Sequence, residues 1–122
     1  MSISIRKSDN YSIIDMYIDN LDFFSVKILR KTLNDLISSK NIDILVNFGM
    51  VNSLDSSALG CLVSAQKKCI SRGGELRIFA PNAEILSIFY IIQLDRYISI
   101  FNSETDAINH RNTMVKRRFK II

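Results

Sequence analysis

The chain has 122 residues, of which 48% are hydrophobic and 23% are charged, proportions typical of one soluble globular domain. It holds only four glycines and one proline, which excludes collagen-like and low-complexity chains. The net charge is +4, and residues 116–122 supply all of it, because they carry four cations and no acid. The sequence therefore predicts a neutral domain over residues 1–115 and a basic C-terminal tail over residues 116–122.

The same inventory limits the surroundings and the chemistry of the chain. The longest apolar run, Ile88–Ile92, is far shorter than the roughly 20 residues of a spanning helix, and the N-terminus lacks the pattern of a signal peptide. Cys61 and Cys69 lie about 12 Å apart if they share one helix, too far for a disulfide. With one histidine and no CxxC motif, no metal site is predicted. We predict a reduced, cytoplasmic protein without a cofactor.

The first third of the chain predicts a β-hairpin followed by a helix. Residues 3–5 alternate between apolar and polar, Tyr11–Ile18 is a second strand-like run, and the polar residues 8–10 between them favour a turn. Asp22 then stands before a helical stripe as a candidate N-cap. The apolar positions of that stripe are Val26, Leu29, Leu33 and Leu36. The polar residues 38–41 end the helix.

The middle of the chain predicts a buried strand, a helix and a second strand. Ile42–Phe48 is mostly apolar, as in the centre of a parallel sheet, and residues 56–72 follow with helical periodicity. Gly73 and Gly74 end this helix, and residues 76–80 form the next strand. The inward side of the helix is predicted to carry Leu59, Leu62, Val63, Gln66 and Ile70, with the small residues Ala58, Cys61 and Ala65 between them.

The last third predicts a helix from residue 82 to about Leu94, a short strand over Tyr97–Phe101, and a last helix from a capping box at residues 103–106 to about Val115. Strands that alternate with helices imply crossover connections and parallel pairing. We therefore predict an α/β fold: one domain with a mixed, mostly parallel sheet, an N-terminal β-hairpin and about four helices.

The third of these helices carries almost no polar face. Its apolar residues are Ile85, Leu86, Ile88, Phe89, Tyr90, Ile91 and Ile92. Such a helix is either buried on all sides or forms an interface with a protein or lipid partner, and the sequence leaves both interpretations open.

The most specific local feature is the run Asp55-Ser56-Ser57 at a predicted loop-to-helix junction. In α/β sheets, such junctions lie outside the carboxyl ends of the strands, where functional sites are common. A helix N-terminus tolerates negative charge, so phosphate on Ser56 would leave the fold intact while adding about 1.5–2 negative charges to the surface. Ordinary helix capping explains the same three residues equally well.

The surrounding residues carry a resemblance to the STAS domain family, and within it to the bacterial anti-sigma factor antagonists. Residues 42–48 followed by residues 55–60 resemble the family's hydrophobic strand and Asp-Ser-Ser-Gly-Leu-Gly motif. Residues 72–76 are similar to its Arg-Gly-Gly-x-Leu segment, residues 19–22 to its Gly-Glu-Leu-Asp segment, and residues 94–107 to its C-terminal third. The resemblance spans about residues 3–110, with Ala58 in place of the motif glycine.

The resemblance implies a phosphorylation switch. Ser56 would be the phosphoacceptor of an anti-sigma factor that is also a serine kinase, with Ser57 as the fallback acceptor, and a phosphatase would reverse the reaction. The unphosphorylated form would bind the kinase and so release a sigma factor. The residues that the resemblance assigns to partner binding are Asp22, Asp55, Ser56, Ser57 and Ala58.

Other function classes have less support in the sequence. A serine hydrolase needs a base, and the only histidine, His110, is predicted on the last helix without a Gly-x-Ser-x-Gly elbow. No phosphate-binding glycine loop is present, and the basic residues form a tail instead of a nucleic-acid-binding face. We predict a binding module, not an enzyme. The alternative is a non-phosphorylated STAS subunit of a membrane lipid or anion transporter complex, the one route by which membrane contact is expected.

Overall fold

The structure is a computed structural model, and it describes residues 2–110. In this part of the chain, strands and helices alternate along most of the sequence. The elements are β1 (Ser2–Ser8), β2 (Tyr11–Tyr17), β3 (Asn20–Leu21), α1 (Phe23–Ser38), β4 (Asp43–Asn47), β5 (Ser53–Leu54), α2 (Ser56–Ser71), β6 (Glu75–Phe79), α3 (Ala83–Ile91), a short 3-10 helix (Leu94–Arg96), β7 (Ser99–Phe101) and α4 (Glu104–Asn109). The basic tail predicted over residues 116–122 lies outside the described residues.

A five-stranded mixed sheet in the order β1-β2-β4-β6-β7 forms the centre of the domain. β1 pairs antiparallel with β2, and all other neighbours in this sheet are parallel. One row of paired residues, Ile5, Ile14, Val46, Ile78 and Ile100, crosses the whole sheet. The predicted α/β fold with an N-terminal hairpin and four α-helices is confirmed.

The main core lies between one face of the sheet and helices α1, α2 and α3. Each fully buried Leu, Ile or Phe side chain in such a core stabilises the fold by about 1.5–3 kcal/mol. The largest fully buried side chains of the main core are Ile14, Met16, Leu21, Leu29, Leu33, Ile44, Phe48, Leu62, Leu76 and Phe89. A smaller apolar cluster of Ile13, Leu45, Phe79 and Ala107 fills the opposite face, beneath α4.

Gln66 is the polar member of the inward side of α2, as the sequence predicts. Its side chain is fully buried, and its Nε2 donates to the carbonyl oxygens of Leu76 (2.9 Å) and Tyr97 (3.1 Å). Its Oε1 accepts from the backbone nitrogen of Leu76 at 2.7 Å. These bonds satisfy the buried amide of Gln66, and they join α2 to β6 and to the segment that precedes β7.

Two predicted helix ends are wrong. The third helix ends at Ile91, not at about Leu94, because Gln93 adopts a left-handed backbone conformation (φ 62°) and a separate 3-10 turn follows. The last helix ends at Asn109, because His110 is extended (φ −80°, ψ 131°). The predicted end at Val115 lies outside the described residues.

The sequence analysis also missed one pairing. The segment just before α1 and the β4–α2 loop form a two-stranded parallel ladder, in which Asn20 pairs with Ser53 and Leu21 with Leu54. Two residues on each side are too few to show the period of a strand, so the sequence does not predict this ladder. This ladder positions the functional region. Among the described residues, no helix is long and apolar enough to cross a membrane.

Candidate functional site

The β3–β5 ladder places the first turns of α1 and α2 side by side. Each strand of the ladder ends one residue before a helix N-cap: Leu21 precedes Asp22, and Leu54 precedes Asp55. The backbone nitrogen of Asp55 also donates to the carbonyl oxygen of Leu21 at 3.2 Å. Two N-caps that are 33 positions apart in the sequence therefore become neighbours at the carboxyl edge of the sheet.

Both aspartates cap their helices with one carboxylate oxygen. Asp22 Oδ1 accepts from the backbone nitrogens of Phe24 (3.1 Å) and Ser25 (3.0 Å). Asp55 Oδ1 accepts from the backbone nitrogen of Ser57 at 3.0 Å and, at 3.4 Å, from that of Ala58. These are the free amides of a first helical turn, and an N-cap carboxylate satisfies them and complements the helix dipole.

The two serines after Asp55 differ in what their hydroxyls do. Ser57 is half-buried, and its Oγ donates to Asp55 Oδ1. Ser56 is the first residue of α2, its side chain is exposed, and its hydroxyl forms no hydrogen bond with any other described residue. Of the two predicted acceptors, Ser56 is therefore the one whose oxygen is open to an incoming group.

Ala58 does not belong to the surface of the site. Its side chain is completely buried and packs in the main core beneath the first turn of α2. Its methyl group therefore cannot contact a docked protein, and the assignment of Ala58 to partner binding is corrected on this ground. Asp22, Asp55, Ser56 and Ser57 remain at the surface.

Side-chain hydrogen bonds hold the loops that lead into the two helices. Asn52 Nδ2 donates to Asp19 Oδ1 at 2.5 Å, and Ser53 Oγ donates to Asn20 Oδ1 at 2.8 Å. Asn82, the N-cap of α3, reaches the carbonyl oxygen of Val51 at 3.3 Å. The region around Ser56 is thus fixed before any partner arrives, which lowers the ordering cost of binding.

Two exposed aromatic residues adjoin the caps, and the sequence analysis did not identify them. Phe23 and Phe24 open α1 with exposed fractions of 58% and 71%, and their rings meet edge to face with centroids 5.8 Å apart. The ammonium group of Lys27 lies 5.0 Å from the centroid of the Phe23 ring. The one available signal was that both phenylalanines fall off the buried stripe that begins at Val26. Exposed aromatic residues are typical anchors of protein interfaces.

His110 is placed away from this site. It follows α4, which packs on the sheet face opposite α1 and α2, and its ring lies 5.2 Å from that of Phe101. The two cysteines are buried free thiols, and burial raises the pKa of Cys69 to about 12. Neither arrangement brings a base or a thiolate to Ser56.

The caps predict a specific pH dependence of stability. Hydrogen bonds from Ser25 to Asp22 and from Ser57 to Asp55 hold the pKa of each carboxyl below its ordinary value of 3.8. A carboxyl with a lowered pKa in the folded state contributes stability above its unfolded pKa and loses that contribution as the pH falls through the folded one. We therefore expect the free energy of unfolding to decrease as the pH is lowered below about 4.

The variant Asp22→Asn/Asp55→Asn retains capping side chains that do not titrate, so its stability should fall less steeply with acid. Urea denaturation at about pH 7 and about pH 3 measures the difference. Asp95→Asn, at an exposed aspartate that caps no α-helix, is the matched control and should follow the native chain. Equal acid sensitivity of the double variant and the native chain would contradict the prediction.

The fold and the site together define a class: a small α/β domain whose surface presents a free serine hydroxyl on a helix N-terminus beside a second helix N-terminus. Comparison with known protein families identifies the family of the chain. The STAS domain matches residues 2–107, and the chain belongs to this family. The resemblance noted in the sequence is thereby confirmed.

Individual relatives agree with the family. A Thermotoga neapolitana protein, provisionally described as an anti-sigma factor antagonist, is 28% identical over 94 residues, which cover 77% of this chain and 80% of that protein. The crystal structure of a Thermotoga maritima protein with the same provisional description superposes with a TM-score of 0.80 at 22% identity, covering 87% of this chain and 91% of that one. The structure of the anti-sigma factor antagonist SpoIIAA in its unphosphorylated form superposes with a TM-score of 0.70 at 17% identity. The superposition covers 88% of this chain and 96% of that one.

Proposed function

We propose that the chain is an anti-sigma factor antagonist, a protein-binding module that phosphorylation of Ser56 switches off. The observation that carries the proposal is the contrast between two adjacent serines: the Ser57 hydroxyl is bound to Asp55, whereas the Ser56 hydroxyl is exposed on the first turn of α2. The descriptions of the relatives support the same function. In this proposal the chain is the substrate of a kinase and has no catalysis of its own.

The charges around Ser56 explain how a phosphate would act. The helix amides of α2 tolerate an anion, so the fold would survive the modification. On the outer surface, the phosphate would join the carboxylates of Asp22 and Asp55, which the β3–β5 ladder holds nearby. The surface would then carry a strongly negative phosphate where it had carried the neutral hydroxyl of Ser56. A partner fitted to the hydroxyl would be repelled.

The partner in this proposal is an anti-sigma factor that is itself an ATP-dependent serine kinase. The unphosphorylated chain binds it and so frees a sigma factor; phosphate on Ser56 ends that binding, and a phosphatase restores it. The surface offered to the kinase consists of Asp22, Asp55, Ser56 and Ser57 together with the exposed rings of Phe23 and Phe24.

Site-resolved phosphopeptide mass spectrometry tests the modification. The protein is isolated from its own cells, in growth and under stress, with phosphatases inhibited. We expect phosphate on Ser56, with an occupancy that differs between the two conditions, and none on Ser57. Absence of phosphate in both conditions would contradict the switch and favour the alternative function, a constitutive STAS subunit of a membrane transporter complex.

The aromatic pair provides a second test of the same surface. We expect Phe23→Ala/Phe24→Ala to weaken binding of the anti-sigma factor by about ten- to a hundred-fold, because two exposed aromatic anchors are lost. Stability should change little, since both rings are exposed. Isothermal titration calorimetry measures the affinity, and Tyr90→Ala, at an equally exposed aromatic residue on α3, is the control. Full affinity of the double variant would exclude the rings from the interface.

A further inference from the structure

The fold separates charges that cancel in the sequence. Residues 1–115 have no net charge, but the two long helices over the main core carry an excess of cations. Their exposed cations are Lys27, Arg30 and Lys31 on α1 and Lys67 and Lys68 on α2. The one acid within either helix is Asp35, which forms an ion pair with Lys31 at 2.9 Å. The outer surface of this helix pair is therefore positively charged.

A shallow groove, here called the α1–α2 groove, separates the two helices. Its floor is formed by Leu33, Cys61 and Ala65, and its rim includes Arg30 and Asn34 from α1 and Lys68 from α2. Lys68 Nζ donates to Asn34 Oδ1 across the groove at 3.2 Å. Burial raises the pKa of the Cys61 thiol, and the positive charges of Arg30 and Lys68 oppose this shift, as expected for cations close to the floor. Each helix thus contributes one cation to the same groove.

The groove continues the surface proposed to contact the kinase. Along one side of α1, at intervals of four, three and four residues, lie Phe23, Lys27, Arg30 and Asn34. The ammonium group of Lys27 lies 5.0 Å from the ring centroid of Phe23 and 5.8 Å from that of Phe24. On α2, Ser56 and Lys68 are about 18 Å apart along the helix, a distance that about six extended residues span. One partner can therefore contact Ser56 and the groove together.

The order of charges on this surface favours a protein over a uniform polyanion. The carboxylates of Asp22 and Asp55 lie at the N-terminal ends of the two helices, and the cations lie further along them. Nucleic acid and an anionic membrane are negative throughout, so the two carboxylates would repel them. A protein can place acidic residues in the groove and neutral or basic residues at the caps, and it would be repelled in the reverse orientation.

We propose that the α1–α2 groove binds an acidic segment of the anti-sigma factor, beside the contact at Ser56. The inference rests on the proposed function and adds the chemistry of a second part of the partner's surface. Exposed charges of this kind steer a partner during the encounter and raise the association rate more than they slow dissociation. The groove therefore orients the anti-sigma factor toward Ser56, whereas a phosphate on Ser56 acts on the bound state.

Surface plasmon resonance with the purified anti-sigma factor tests the charges. Arg30→Gln/Lys68→Gln removes one cation from each helix, and we expect its association rate constant to be about five- to ten-fold below that of the native chain at about 50 mM salt. The difference should shrink at about 500 mM salt, and the dissociation rate should change little. Lys40→Gln/Arg96→Gln is the matched control: it removes the same two residue types from exposed positions outside the groove, and it should associate like the native chain.

Photo-crosslinking identifies the segment that occupies the groove. Ser64 is exposed on α2 and lines the groove, so p-benzoylphenylalanine is introduced there, with the exposed Ser87 on α3 as the control position. We expect a crosslink to the anti-sigma factor from position 64 and none from position 87. Mass spectrometry of the crosslinked peptide should identify a segment rich in Asp and Glu.

Measuring Ser56→Asp beside the groove variant separates this proposal from the switch. Native-like association of Arg30→Gln/Lys68→Gln, with binding lost in Ser56→Asp, would overturn the groove and leave the switch intact. Slow association of the groove variant, with native-like binding by Ser56→Asp, would support the groove and refute the switch. An equally slow Lys40→Gln/Arg96→Gln control, or a crosslinked segment without acidic residues, would also overturn the proposal.

Discussion

Replacing Ser56 by Asp is expected to weaken binding of the anti-sigma factor at least about a hundred-fold, whereas Ser56→Ala should bind like the native chain. A carboxylate at this position adds a third negative charge beside Asp22 and Asp55, at a surface fitted to a neutral hydroxyl. A hundred-fold loss of affinity corresponds to about 2.8 kcal/mol of binding free energy, which a few unfavourable contacts can account for. Isothermal titration calorimetry or a pull-down with the purified anti-sigma factor measures the difference.

The fold should not be affected by this substitution, because a negative side chain on the first turn of a helix is favourable. Ser87→Asp, at an exposed serine on α3, adds the same charge elsewhere and should leave the affinity unchanged. Equal binding by Ser56→Asp and Ser56→Ala would refute the switch at this residue, and the same pair of substitutions at Ser57 would then be compared.

Replacing Gly74 by Ala is expected to cost about 3 kcal/mol or more of the free energy of unfolding. A Cβ atom at this position would lie 2.2 Å from the carbonyl oxygen of Ile42 and 2.6 Å from its carbonyl carbon. That oxygen also accepts from the backbone nitrogen of Glu75 at 3.0 Å, at the start of the β4–β6 pairing. The two central strands must therefore separate to admit one methyl group. Urea denaturation measures the loss, which is large against a typical total of about 5–15 kcal/mol.

Gly60→Ala is the matched control for this prediction. Gly60 lies inside α2, and apart from its chain neighbours and the nearby backbone of the helix itself, a Cβ atom there would meet no atom within 4 Å. Because Ala is the better helix former by about 1 kcal/mol, this variant should be slightly more stable than the native chain. Similar stabilities for the two variants would show that β4 and β6 do not approach each other as closely at Gly74 as the structure has them.

Much of the fold could be predicted from local features of the sequence. The alternation in residues 3–5, the apolar stripe from Val26 to Leu36 and the apolar strand around Val46 reflect side chains that must leave water, and their spacing identifies the element. Asp22 and Asp55 were predictable as caps because a helix N-terminus has free amides that a short acidic side chain satisfies. The order of these elements then required a mostly parallel sheet.

Contacts between distant segments were beyond such reasoning. The β3–β5 ladder is two residues long on each side, which is too short for a sequence periodicity to predict it. It forms only because the folded sheet brings residues 20–21 beside residues 53–54. The end of α3 was not predictable because the left-handed backbone conformation that ends it falls on Gln93, just before the buried Leu94, and not on a glycine.

The candidate site divides in the same way. The sequence by itself determined the α/β fold, the two caps and the run of serines after Asp55, because these follow from the chemistry of neighbouring residues. Only the tertiary structure decided that Ser56 is exposed while the Ser57 hydroxyl is bound, that Ala58 lies in the core, and that Phe23 and Phe24 flank the site. Burial and hydrogen bonding of a side chain depend on the elements packed around it, and those elements come from distant parts of the chain.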